Sequence, residues 1–176
     1  ARFTSANFRT YESSTYGPTF TREGENSEVA DRLVELIQGA STSISIASGH
    51  LRSRLIAQAL VDKAEHDPDV AIHVYLDGQE YVSEWYYTSD LDEYEFCLQA
   101  AVDADDRQDC DEKGYYFGLT LHLAGIPVRY KTYAYRWDYT YAAQMHHKYM
   151  IIDEKTVAAG SYNYSNNAEH ETMENL

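Results

Sequence analysis

Alternating apolar residues in two short segments, with a helical pattern between them, constrain the fold of this chain more than any other feature. Ile44 and Ile46 alternate with serine in the segment 43–48, and apolar residues occupy every second position of 70–76. Residues 53–66 between them have helical spacing. A strand, a helix and a strand in this order form a βαβ unit. The sequence therefore predicts an α/β fold with a mixed, largely parallel central sheet flanked by helices.

The rest of the chain continues the alternation of predicted helices and strands. Asn26 or Ser27 can cap a helix that Gly39 ends. Helices are also predicted near 91–102 and 114–124, strands at 126–130, 147–152 and 156–159, and a turn at 153–155. The length of 176 residues suits one domain. We expect an irregular lead-in over residues 1–25, with at most a short strand at 1–8, and one domain over 26–176 with an insertion at about 78–113.

The charge of the chain restricts its partners. A formal net charge of −15 opposes loose attraction to nucleic acid or to an anionic membrane, because such binding relies on many lysines and arginines. A polyanionic substrate would therefore have to bind at a local cluster of basic residues. No apolar run has the roughly 20 residues that a transmembrane segment needs, and no leader of the signal-peptide kind is visible. Because the chain begins at Ala1, we expect that a segment upstream was removed.

Cys97 and Cys110 are the only cysteines. An even pair fits a disulfide in an exported protein or two buried thiols in a cytosolic one. We favour the disulfide, and with it a secreted or periplasmic location. Two cysteines without a clustered histidine do not predict a zinc site.

The residues that carry chemistry lie near the end of the chain. His146 and Lys148 are two apart in a predicted strand, so their side chains project from the same face, whereas His147 points the other way. Ser161 and Asn163 share a face by the same rule. A turn at Asp153 would return the second strand beside the first, and one pocket could hold these side chains.

This set of side chains suits a phosphodiester. Lys148 supplies positive charge and the Asn163 amide can hold non-bridging oxygens, so both are predicted to bind substrate. His146 is the natural nucleophile or proton carrier. Glu174 is the carboxylate expected to orient its imidazole, and Asp153 is expected to anchor the turn.

The motif that these residues form, H146-x-K148, four residues, D153, six residues and G160-S161-x-N163, resembles the signature of the phospholipase D superfamily. The trailing Glu174 resembles the acidic element that follows this motif in the family. The resemblance implies catalysis through a covalent phosphohistidine without a metal or other cofactor. It also implies two half-sites, and one signature is present here. A homodimer or a second phospholipase D-like half would supply the other. The end at Leu176 fits one half of a longer enzyme.

Two further features have competing interpretations. The aromatic run 133–141, which includes Trp137 and Tyr141, could contact substrate by stacking on bases, gripping a glycan or entering lipid. A hairpin that packs on its own domain is the simpler interpretation. His50 follows a predicted strand and could reach the pocket edge, although an ordinary loop position is the simpler interpretation.

Three functions follow from these observations. The leading hypothesis is a metal-independent nuclease that cleaves nucleic-acid phosphodiesters, because the chain resembles compact single-signature members of the superfamily. The alternative is a phospholipase D or phosphatidyltransferase acting on phospholipid head groups. A third possibility is a non-catalytic half-domain that keeps the fold and binds phosphate without turnover.

Overall fold

The computed structural model describes residues 1–22, 26–77, 84–104, 106–107, 110, 116–131 and 145–176, with the backbone alone for residues 84–91 and 116–119. The helices are α1 (Glu28–Gln38), α2 (Arg54–His66), α3 (Glu84–Ala100), α4 (Tyr116–Leu123) and α5 (Asn166–His170). The strands are β1 (Phe8–Ser13), β2 (Gly17–Arg22), β3 (Ser43–Ser48), β4 (Ala71–Asp77), β5 (Val128–Lys131), β6 (Lys148–Ile152) and β7 (Thr156–Ala159).

The central sheet has five strands in the order β5-β4-β3-β6-β7. Strands β3, β4 and β5 are parallel, whereas β6 runs antiparallel to both β3 and β7. The unit β3-α2-β4 is the predicted βαβ crossover, since its two strands pair in parallel. The prediction of an α/β fold with a mixed sheet flanked by helices is therefore confirmed.

The hydrophobic core lies between one face of this sheet and the helices α1, α2 and α4. Alternate residues of each strand point into it, as the pleat requires. The fully buried members include Leu33 and Ile37 of α1, Leu60 of α2, Leu121 of α4, Ile44 of β3 and Met150 of β6. Removal of this apolar surface from water is the main force that holds the helices on the sheet.

The N-terminal segment is more regular than the sequence predicted. Residues Thr4–Asn7 form a short 3-10 helix, and β1 and β2 form an antiparallel hairpin. The expectation of an irregular lead-in over residues 1–25 was wrong, as was that of a strand at 1–8. The pattern was hidden because both strands are largely exposed and lack apolar alternation. Phe8 and Phe20 stack edge to face across the hairpin, 5.6 Å between ring centroids.

The predicted insertion lies partly outside the described residues. Its described part contains α3, and Cys97 and Cys110 form a disulfide whose Cα atoms lie 5.6 Å apart. A covalent link over this separation of 13 residues restricts the unfolded chain there. Among the described residues, no helix combines the length and apolar character that crossing a membrane requires.

Candidate active site

Some of the predicted site residues lie at one edge of the central sheet. Lys148 begins β6 and pairs with Ser48, the last residue of β3. Asp77 ends the neighbouring strand β4. This edge carries the carboxyl ends of the parallel strands, which is where ligands bind in open α/β sheets.

His146 and Lys148 lie next to each other at this edge. The Lys148 ammonium donates a hydrogen bond of 3.2 Å to the main-chain oxygen of His146. Lys148 is 9% exposed, whereas the His146 side chain is exposed. Burial lowers the pKa of Lys148, and the negative charge of Glu174 opposes this shift. The arrangement presents the exposed side chain of His146 next to a largely buried lysine.

Sequence reasoning missed Asp77, which holds the chain just before His146. This carboxylate is 4% exposed and accepts a hydrogen bond from the main-chain N–H of Met145. Because Met145 precedes His146, this bond holds the backbone immediately before the histidine in place. The available signal was an acidic residue at the end of a strand whose apolar residues alternate.

The segment with Ser161 and Asn163 follows β7 and returns to the same edge. The main-chain N–H of Gly160 donates to the main-chain oxygen of Lys148 at 3.4 Å. Ser161 is exposed, Asn163 is partly buried, and Tyr162 between them is buried. Ser161 and Asn163 therefore lie on either side of a buried tyrosine, and their role at the site stays a prediction.

The C-terminal segment is tied to this loop. The Asn175 side-chain oxygen accepts a hydrogen bond of 3.3 Å from the Ser161 N–H, and the Ser161 hydroxyl accepts one of 3.1 Å from the Asn175 N–H. On its other side, the segment pairs with the N-terminal residues, where Phe3 forms a bridge with Asn175. These two sets of bonds bring Glu174 to the edge that carries Lys148.

The Glu174 carboxylate acts on Lys148 through its charge. Its oxygen accepts a hydrogen bond of 2.8 Å from the Thr172 hydroxyl. Among the described residues, no hydrogen bond joins this carboxylate to the His146 ring. The orientation of His146 by Glu174 therefore stays a prediction.

Asp153 lies at the opposite end of β6, roughly 16 Å from Lys148 along an extended strand. Its carboxylate accepts hydrogen bonds from the main-chain N–H groups of Ser41, Thr42 and Ser43, and from the hydroxyls of Ser41 and Thr42, at 2.7–3.0 Å. These bonds, first that from Ser43, hold the pKa of Asp153 well below its usual range. The geometry places Asp153 as an anchor between the β6-β7 turn and the start of β3, and separates it from the other site residues.

Glu169 is a second residue that sequence reasoning missed. This carboxylate is 1% exposed and accepts hydrogen bonds from the N–H groups of Val29 and Ala30, at 3.1 and 3.0 Å, and from the Asn7 amide at 2.7 Å. It thus caps the first turn of α1 from another part of the chain. Glu169 also bonds the Tyr162 hydroxyl, and burial, with this carboxylate beside it, raises the pKa of Tyr162. Through Tyr162, Glu169 thereby holds the loop that contains Ser161 and Asn163.

The remaining candidates are the aromatic run, His50 and a possible metal site. Trp137 and Tyr141, with the whole aromatic run, lie outside the described residues. His50 lies at the same sheet edge, where its N–H donates to the Ser48 hydroxyl at 3.4 Å. Within the described ranges, no group of three or more His, Cys, Asp or Glu side chains could hold a metal ion.

Comparisons with known proteins identify the family and the fold of the chain. Residues 33–176 match the family model described as "Cardiolipin synthase, PLD-like domain". No curated protein sequence is significantly similar to the chain. The crystal structure of Nuc, a phospholipase D family member from Salmonella typhimurium, superposes with a TM-score of 0.54 at 18% identity, covering 86% of this chain and 74% of Nuc. NucT from Helicobacter pylori gives a TM-score of 0.49 at 22% identity, covering 82% of this chain and 72% of NucT.

The family match covers most of the chain, including every element of the central sheet, and the superposition on Nuc shows the same fold. The sequence motif from His146 to Asn163 lies within the matched region. The chain belongs to the phospholipase D superfamily, and this membership suggests phosphodiesterase activity.

Proposed function

We propose that the chain is a phosphodiesterase that acts through a covalent phosphohistidine at His146 and cleaves nucleic acid. One observation carries the proposal: at the carboxyl edge of the parallel strands, exposed His146 is joined to largely buried Lys148 by a hydrogen bond from the Lys148 ammonium to the His146 main-chain oxygen. A phosphodiester placed there would meet a nucleophile and a fixed positive charge together. Charge fixed in a poorly hydrated site stabilises a transition state more than charge in water does.

In the proposed reaction, a ring nitrogen of His146 attacks phosphorus and the bond to the leaving oxygen breaks. Lys148 and Asn163 hold the non-bridging oxygens as negative charge develops on them. Glu174 stabilises the charged form of Lys148 and, after a side-chain rotation, can accept the second N–H of the imidazole. Water then attacks the phosphohistidine and releases His146.

The leaving oxygen needs a proton that the described half-site does not provide. We propose that His146 of a second copy supplies it, in a homodimer with two-fold symmetry. The same histidine then takes the proton from the attacking water. The mass of the protein in solution tests this step, and a monomer that binds phosphate without turnover would favour the non-catalytic half-domain.

The decisive experiment is hydrolysis in EDTA. Wild-type protein should cleave single-stranded or double-stranded DNA, and also the small diester bis(p-nitrophenyl) phosphate, whereas His146→Ala should do neither. The exposed His66 at the end of α2 provides a matched control, and His66→Ala should retain full activity. Absence of cleavage by the wild type, or equal cleavage by His146→Ala, would contradict the proposal.

A second candidate function is transfer or hydrolysis of phospholipid head groups. The description of the matching family as a cardiolipin synthase domain and the net charge of −15, which repels nucleic acid, both favour it. Release of choline from phosphatidylcholine, or formation of a new phosphatidyl alcohol, without DNA cleavage would establish this alternative.

A further inference from the structure

The described residues place the hydrophobic core on one face of the central sheet and a groove on the other. On this face, Tyr75 is 42% exposed, His73 and Arg129 are also exposed, and Tyr149 is partly buried. A groove of about 1020 Å³ lies over these residues. Exposed tyrosines on a sheet face provide flat apolar surface with a polar tip, which is typical of recognition surfaces. We call the residues Tyr149, Ala47, Tyr75 and Arg129, with His73, the sheet-face row.

Four of these residues form one line across the sheet. Ala47 pairs with Tyr149 on one side and with Tyr75 on the other, and Tyr75 pairs with Arg129. Neighbouring strands are about 4.8 Å apart, so the two tyrosines are separated by roughly 10 Å across the small side chain of Ala47. Two aromatic side chains therefore flank Ala47, which is buried, and Arg129 follows at the end of the line.

The charge of this face differs from that of the chain as a whole. Aspartate and glutamate outnumber lysine and arginine by 29 to 14 in the sequence. Among the described residues that line the groove, none is acidic, and Arg129 carries a positive charge. An anionic ligand repelled by most of the surface can therefore approach here.

The face is continuous with the catalytic edge. The His147 ring contacts the Tyr149 ring edge to face, with centroids 5.8 Å apart and planes at 68°. His147 lies between His146 and Lys148 in sequence. Successive residues of an extended segment point to opposite faces, so a chain-like ligand held at His146 would reach Tyr149 by passing around the start of β6 over His147.

We infer that the sheet-face row binds the bases of a single-stranded nucleic acid whose phosphodiester lies at His146. Stacking on aromatic rings requires unpaired bases and tolerates any sequence. Binding by stacking also suits an acidic chain, because it needs few contacts with cations. The inference rests on the proposed nuclease function and defines its substrate as single-stranded.

Binding of a fluorescent oligothymidylate, followed by anisotropy in EDTA, tests the inference. The protein carries His146→Ala to prevent cleavage, and a length of roughly 12 nucleotides covers one binding site. Tyr75→Ala and Tyr149→Ala should each raise the Kd by about fivefold to 100-fold, as expected for loss of one stacked base. Tyr75→Phe should restore tight binding because the ring remains. Tyr16, which is 85% exposed in the β1-β2 turn, is the matched control, and Tyr16→Ala should bind as the parent does.

The salt dependence of the Kd supplies an independent measurement. Arg129→Gln should reduce the slope of log Kd against log salt concentration by about 0.7, since one phosphate contact with a single strand is lost. Arg9→Gln on the exposed strand β1 is the control and should leave the slope unchanged. Thermal unfolding of each variant checks that the fold is retained.

The outcomes separate this inference from the proposed function. Unchanged binding by Tyr75→Ala, Tyr149→Ala and Arg129→Gln would overturn the inference even if the wild type hydrolyses bis(p-nitrophenyl) phosphate. Equal affinity for duplex DNA, or binding to anionic lipid vesicles in place of the oligonucleotide, would also overturn it. Failure of the wild type to hydrolyse any phosphodiester would contradict the proposed function, whereas the binding results would still test the sheet-face row.

Discussion

A β-carbon added to Gly160 would lie 2.1 Å from the main-chain oxygen of Asn175. The glycine of the Gly-Ser-x-Asn motif is thus required by space, because the C-terminal segment passes directly over it. The same close approach allows the reciprocal bonds between Ser161 and Asn175. Gly160 therefore connects the motif to the position of Glu174.

Gly160→Ala should displace the C-terminal segment, because the obstructing atom belongs to the backbone and cannot rotate away. We expect a loss of about 1–3 kcal/mol in the free energy of unfolding, as for other overpacked sites, and a lower kcat. Urea unfolding and hydrolysis of bis(p-nitrophenyl) phosphate provide the measurements. Gly39→Ala at the end of α1 is the control, since its φ of −76° suits alanine. Equal stability of the two variants would contradict this account.

Asp77→Ala should lower activity by about tenfold to 100-fold, because a small misplacement of a catalytic group has an effect of this size. The Met145 N–H would lose its acceptor, and the entry of the chain to His146 would shift. Asp77→Asn retains an acceptor oxygen and should recover part of the loss. Steady-state hydrolysis is the measurement, with the exposed Asp69→Ala at the other end of β4 as the control. Full activity of Asp77→Ala would show that this bond does not position His146.

Glu174→Gln should lower the pKa of Lys148 further. Burial already lowers this pKa and the Glu174 charge opposes the shift, so only the lowering cause remains once the charge is removed. NMR titration of the Lys148 side chain measures the change directly, and the alkaline limb of the pH-rate profile should move to lower pH. The exposed Glu171→Gln removes the same charge nearby and should have a smaller effect. A pKa that stays constant or rises would refute the prediction.

Asp153→Asn should destabilise the protein at neutral pH and have little effect in strong acid. The folded-state pKa of Asp153 lies below its value in the unfolded chain, so its stabilising contribution is complete above about pH 4. The contribution is lost as the pH falls through the folded-state pKa. Thermal unfolding from about pH 2 to about pH 7 should therefore show the two proteins converging in acid. Glu154→Gln, an exposed neighbour, is the control, and a difference that does not depend on pH would count against the anchor role.

Glu169→Ala should reduce the free energy of unfolding by about 2–4 kcal/mol, because buried donors of α1 and Asn7 lose their acceptor. Glu169→Gln keeps one acceptor oxygen and should lose less. Urea unfolding measures the effect, and the exposed Glu35→Ala in α1 is the control. A change in stability no larger than that of Glu35→Ala would mean that the cap contributes little.

The predictions that succeeded depend on local geometry. The strand 43–48 was predicted with the bounds that β3 has, and the helix after it differs by one residue. Periodicity predicts such elements because the pleat and the helical turn fix which side chains share a face. For the same reason the sequence predicts that the side chains of His146 and Lys148 share a face. The hairpin β1-β2 was not, because an exposed hairpin buries little and leaves no apolar pattern.

By itself, the sequence determined the βαβ framework and the motif from His146 to Asn163, because both follow from spacing along the chain. Only the tertiary structure decided which distant groups meet. Strand order and register carry Asp153 away from Lys148, bring Asp77 to Met145, and align Tyr149, Ala47 and Tyr75 across three strands. Buried Glu169 likewise finds its partners more than a hundred residues away. Such contacts depend on how separate elements pack, and no local pattern in the sequence specifies that packing.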